Sequence, residues 1–175
     1  MPDETSPSTG AGRSVSLASL LDYDRWANAR LAETLATAAA AKDGGPESLS
    51  RSLAIFAHVL ASHRLWQGRC AGDEAQPGKW PSLSPSRLSA EVDACRKGWD
   101  AILNGPPEAD AVRYTSEQGD SFNSHLSDVV LHVVMHGTYH RGQIAMLLGR
   151  GNVPIPHTDL IRARRAGEAF ASIAI

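Results

Sequence analysis

The sequence predicts an all-α fold: a four-helix bundle with a short irregular hairpin between its third and fourth helices and a short C-terminal helix. Three observations carry this expectation. Four stretches repeat apolar residues at i, i+3 and i+4, and each makes a stripe that must be covered. Asp43-Gly-Gly-Pro46, the loop from Asp73 to Pro81, and Asn104-Gly-Pro-Pro107 separate them with turn and breaker residues. A chain of 175 residues that is 42% hydrophobic suits one compact core, and four mutually covering stripes close into a bundle.

Residues 1–14 are rich in Ser, Thr, Pro and Gly and are expected to be a disordered leader, with a single domain over 15–175. The first helix runs from Val15 to about Ala41 on a stripe of Leu17, Leu20, Leu21, Ala27, Leu31 and Leu35, with Asp24, Arg25 and Glu33 placed off it. The second starts at Pro46 or Glu47, because proline is tolerated in a first turn and an acid suits the positive helix end. It carries Leu53, Phe56, Val59, Leu60, Leu65 and Trp66 and stops by Gly72. Ser84-Pro-Ser-Arg87 reads as the capped start of a third helix bearing Leu88, Val92, Trp99, Ile102 and Leu103. From Val112 to Phe122 the pattern alternates around a Gly-Asp turn, which predicts the hairpin. Ser124 to Gly149 makes the fourth helix, and a short fifth begins near Asp159 with Arg162, Arg164 and Arg165. The loops on either side of the third helix are long enough for a topology other than simple up-and-down.

Composition excludes several classes. No apolar run reaches the roughly 18 residues of a membrane-spanning helix. A net charge of −2 argues against a nucleic-acid binder, and the Arg-rich end is too short to make one. Cys70 and Cys95 are too few for a disulfide framework and lack the spacing of a redox pair. No basic start leads into an apolar stretch, so a signal peptide is not expected and a cytoplasmic location is. Bundles with exposed apolar faces often dimerise, which makes a homodimer a further expectation.

Seven histidines are the unusual feature of the chain. His132, His136 and His140 are spaced by four and project from nearly one side of the fourth helix. Imidazoles at i and i+4 can converge on one metal ion. Three in a row on a straight helix cannot, because the outer two are about 12 Å apart along the axis. Gly137 and Gly142 flank the second pair and point to a close approach there, which favours His136 with His140. A third ligand must then come from another helix, where His58 and His63 are the candidates. The two lie about 140° apart around that helix and cannot both ligate one ion; spacing does not choose between them. A lone helical histidine is more often a hydrogen-bonded core residue. Tris-histidine coordination is the sharper hypothesis.

The block His136-Gly-Thr-Tyr-His-Arg-Gly-Gln143, followed by Pro154-Ile-Pro-His-Thr-Asp-Leu160, resembles the fourth-helix signature of the DinB (DinB/YfiT-like) family. Tyr23-Asp-Arg-Trp-Ala-Asn28 and His58-Val-Leu-Ala-Ser-His-Arg-Leu-Trp66 fit as well, so the similarity runs from Leu17 to Leu160 in the right order. The resemblance implies a four-helix bundle holding a divalent metal on His58, His136 and His140. It also implies kinship with thiol-dependent enzymes such as mycothiol-dependent maleylpyruvate isomerase and bacillithiol transferases. Two positions depart from the pattern. Met135 stands where relatives often carry Asn, and His63 where they often carry an acid.

A site of three neutral imidazoles leaves a bound ion its full charge, which acidifies a bound water or thiol. Zinc, nickel, iron or copper suits such a donor set, with zinc, nickel or iron the leading expectations. The functional expectation is a metal-dependent thiol S-transferase acting on a small electrophile. Two alternatives come from other classes: a non-catalytic metal-binding stress-response protein, and a hydrolase using bound hydroxide. Gln143 and His132 are the candidates for groups that orient the ligating rings, and His63 for a second base near the pocket. Arg141 points away from the histidine stripe and is expected to pair with Asp22 or Asp24, or to be a solvated charge. Tyr23, Trp26 and Trp66 are expected to be core or pocket wall.

Overall fold

A computed structural model describes residues 15–73, 78–105 and 111–165; the leader expected over residues 1–14 lies outside these. Helix α1 spans Leu17–Ala41, capped by the Ser16 hydroxyl, which accepts from the Ser19 N–H at 3.1 Å. It ends where Lys42 turns left-handed (φ 60°) and the Asp43 N–H reaches back to the Ala38 carbonyl at 2.9 Å. Helix α2 spans Pro46–Cys70, with Pro46 in the first turn as expected.

Helix α3 covers Leu88–Leu103 but does not start at a serine cap. A single 3-10 turn over Pro85–Arg87 precedes it, and the Ser84 hydroxyl faces Ser86 Oγ at 2.9 Å instead of capping a helix N–H. The hairpin pairs β1 (Ala111–Thr115) antiparallel with β2 (Ser121–His125) around a turn with Gly119 at φ 91°. Helix α4 spans Leu126–Arg150, two residues later than its periodicity predicts. The reason is strand pairing: Ser124 and His125 lie opposite Val112 and Ala111 and stay extended. Helix α5 covers Leu160–Arg165. No described helix is long and apolar enough to cross a membrane.

The described chain is mostly helical, and α1 to α4 form the bundle. Helix α1 packs chiefly against α3 and α4, and α2 against the same two, so the consecutive helices α1 and α2 sit across a diagonal. The core divides along the helix axes. One apolar half gathers Leu31, Leu35, Phe56, Leu60, Val92, Ile144 and Leu148. The other gathers Leu21, Trp26, Ala27, Trp99, Val130 and Val133. Each large side chain so buried contributes about 1.5–3 kcal/mol.

Between the halves lies a polar layer of Asp24, Asn28, His63 and Arg141, each under 5% exposed. Asp24 is the element that periodicity misplaced: expected off the apolar stripe, it is buried because Arg141 and His63 meet it there. At the far end of the bundle the loop between α1 and α2 crosses the end of α4. Gly44 backbone occupies the space that a Cβ on Gly151 would need.

Candidate metal centre

Helices α2 and α4 share an extensive face, and packing along it determines which histidines can meet. His136 and His140, one turn apart, bring their Nε2 atoms to 3.1 Å. From α2, His58 sets its ring 5.1 Å from that of His136 and 5.0 Å from that of His140, centre to centre. One donor nitrogen from each of the three lies within 4.8 Å of the others, and all three residues are half-buried. Zinc–nitrogen bonds are about 2.0–2.1 Å long, so donors around one ion stand roughly 3–4 Å apart. The cluster is therefore near coordination spacing before any ion is placed in it. Among the described residues no Asp, Glu, Cys or further His joins it.

Outer contacts assign the protons. Nδ1 of His58 lies 2.8 Å from the Lys79 carbonyl, which can only accept, so Nδ1 carries the hydrogen and Nε2 the lone pair. Nδ1 of His140 likewise donates to Gln143 Oε1 at 2.8 Å, again leaving Nε2 as the lone-pair nitrogen. Trp80 stacks on the outer face of His58, with centroids 4.2 Å apart and planes inclined by 17°.

Electrostatics keeps the rings of His136 and His140 neutral. Burial, together with the neighbouring His140, His58 and His132 rings, pushes His136 down to about 4. Burial also lowers His140 against the opposing pull of its Gln143 hydrogen bond, with His58 adding to the lowering. A neutral imidazole has the free lone pair a metal needs, so proton competition is weak near neutral pH.

The remaining sequence candidates fall in different places. Gln143 touches His140 directly. His132 is one step removed, its ring 6.0 Å from His136 and packed edge-on against Trp66 at 5.3 Å. His63 is not beside the cluster as a free base. It is buried one layer in, accepting at Nδ1 from the Trp99 indole N–H (2.9 Å) and placing Nε2 3.1 Å from Asp24 Oδ2. Because an indole N–H only donates, Nδ1 is the accepting nitrogen of His63 and Nε2 is the one that faces Asp24.

Arg141 turns away from the histidines, as its helical position requires, and pairs with Asp24 rather than Asp22. Gly137 does mark a close approach, since a Cβ there would stand 2.9 Å from Asp24 Oδ1. Gly142 does not; the space beside it is open. Tyr23 and Trp26 are core, whereas Trp66 is half-buried against the hairpin.

Helical periodicity missed the Lys79 carbonyl, Trp80 and the His63–Trp99 contact. For Trp80 one signal was present, an indole in a loop otherwise short of apolar residues. Nothing local linked it to His58, 22 positions upstream.

The sequence model of the DinB family matches residues 8–168. No curated protein and no solved structure matches the chain.

Proposed function

The chain belongs to the DinB family, and from that membership together with the three-histidine cluster we propose that it is a divalent-metal-dependent transferase joining a small thiol to an electrophile. The observation that carries this reading is the donor set: three imidazoles from two helices, near coordination spacing, with no protein carboxylate among the described donors. His58, His136 and His140 would hold the ion. When bound there, a divalent ion supplies uncompensated positive charge that favours the thiolate form of a nearby thiol.

The chain's own residues do the rest. The Lys79 carbonyl and Gln143 hold His58 and His140 with their Nε2 lone pairs available. Trp80 covers one face of His58 and keeps water from that side. The protein's thiols are poor nucleophiles for this task, because burial pushes both Cys70 and Cys95 up to about 11. That supports a thiol supplied from solution.

The test is direct. Protein purified, stripped and reloaded with zinc, nickel or iron is assayed for conjugation of low-molecular-weight thiols to a chlorinated aromatic. Activity that needs metal and disappears in His140→Ala supports the reading. Metal bound at one ion per chain with no conjugation by any thiol refutes it.

A further inference from the structure

A cleft of small-molecule size lies apart from the histidine cluster. It lies between the last turns of α2 and the hairpin, with a volume of about 560 Å³, and it is lined by Leu65, Arg69, Arg113, Tyr114 and Phe122 among others. That volume falls within the range of small-molecule sites.

Two cations face this one space. Arg69 rests its guanidinium on the Trp66 ring (4.5 Å) and the Tyr114 ring (4.4 Å), which themselves meet edge to face at 5.0 Å. Such a contact restrains the side chain but uses none of its N–H donors, which lie in the guanidinium plane. Arg113 enters from β1, where it lies opposite Asn123. Among the described residues neither guanidinium has an ion-pair partner, although Asp73 also lines the cleft. The remaining wall is mixed, apolar from Leu65 and Phe122 and polar from Thr115, Ser116, Ser121 and Asn123.

We propose that this cleft binds a small organic carboxylate, its acid group held by Arg69 and Arg113 and its carbon skeleton laid against Tyr114 and Phe122. The planar fork of arginine matches a carboxylate with two parallel hydrogen bonds. The size of the cleft and its aromatic wall favour an organic acid over a bare inorganic anion, which would leave most of the space filled with water. The site is built without the metal. It adjoins the histidine cluster through Trp66, which contacts His132 at 5.3 Å, and His132 in turn lies 6.0 Å from His136.

Isothermal titration of the full-length, metal-stripped protein with phthalate at low salt tests the assignment. One saturable site per chain is expected, with no saturable binding of the neutral dimethyl ester and at least tenfold weaker binding of inorganic phosphate. Arg113→Gln, an exposed strand position that does not threaten folding, is expected to weaken phthalate about tenfold or more, the scale of one lost charge-assisted hydrogen bond. Arg69→Gln should do the same, and Arg87→Gln on α3's approach should change nothing. The proposal is overturned by absence of saturable phthalate binding, by equal affinity for ester or phosphate, or by unchanged affinity in both cleft variants. His140→Ala should bind phthalate as the wild type does; loss of binding there would place the acid at the histidine cluster and also overturn it. Because every arm uses metal-free protein, the result is independent of whether the thiol-transfer reading stands.

Discussion

Arg141 Nη1 meets Asp24 Oδ1 at 2.7 Å in the middle of the bundle, with both side chains 3% exposed. The same Nη1 donates to Asn28 Oδ1 at 2.8 Å, and Nη2 donates to Thr138 Oγ1 at 2.7 Å. Asp24 Oδ2 takes Asn28 Nδ2 at 2.8 Å and faces His63. One buried carboxylate thus ties α1 to α4 and to α2 at the seam between the two apolar halves. It does so within one turn of His136 and His140.

Removing one member of this pair leaves the other charged and buried. Arg141→Leu is therefore expected to destabilise the protein by about 3–5 kcal/mol in urea unfolding, and Asp24→Asn by an amount of the same order. The double variant should lose less than the sum of the two, because neither partner is then stranded. Additive losses would mean that the two residues do not act as a pair.

The two glycines of α4 should respond in opposite directions. Gly137→Ala puts a methyl group 2.9 Å from Asp24 Oδ1 and 3.0 Å from Arg141 Nη1, and should destabilise by about 1–3 kcal/mol. Gly142→Ala meets open space and should stabilise by up to about 1 kcal/mol through helix propensity. Thermal unfolding of both variants side by side checks the pair of signs; equal shifts would contradict the packing described.

For the proposed metal site, His140→Ala is expected to abolish stoichiometric metal while leaving far-UV circular dichroism unchanged. Gln143→Leu removes only the group that orients His140 and should weaken metal binding about 10–100-fold. Elemental analysis and chelator competition read both. Full metal content in His140→Ala would exclude it as a ligand.

Acid should destabilise the metal-free protein in two stages. His136 is held down to about 4 in the fold, whereas an unfolded histidine titrates near about 6.5. Between those values the unfolded chain binds a proton that the folded chain does not, so stability falls as pH drops through that window. Asp24 follows at lower pH. Burial alone would raise it, but Arg141 and His63 outweigh burial and hold it below its ordinary value of 3.8. The stability it contributes is present above that value and is lost as pH falls through the lower folded one. Melting temperatures measured across this range on stripped protein should decline from about pH 6.5 downward; a flat profile to about pH 4 would show that His136 is not held neutral by the fold.

How far the sequence could be read depends on the range over which each interaction acts. Pro46 and the Gly-rich breaks placed helix ends to within a residue or two, because breakers work through neighbours along the chain. Where a neighbour came from elsewhere the reading slipped: β1 holds Ser124 and His125 extended and delays α4.

The chain by itself determined that His136 and His140 face the same way, since 3.6 residues per turn leaves no choice, and that Arg141 faces elsewhere. It could not say that Asp24 is buried or that His63 accepts from Trp99 and lies against Asp24. Nor could it say that a loop carbonyl and Trp80 hold His58 toward its partners. Those outcomes depend on which helices become neighbours. Periodicity sets the direction of a side chain around its own axis, but only the packing of α1 and α2 on either side of the α3–α4 diagonal decides what that direction meets.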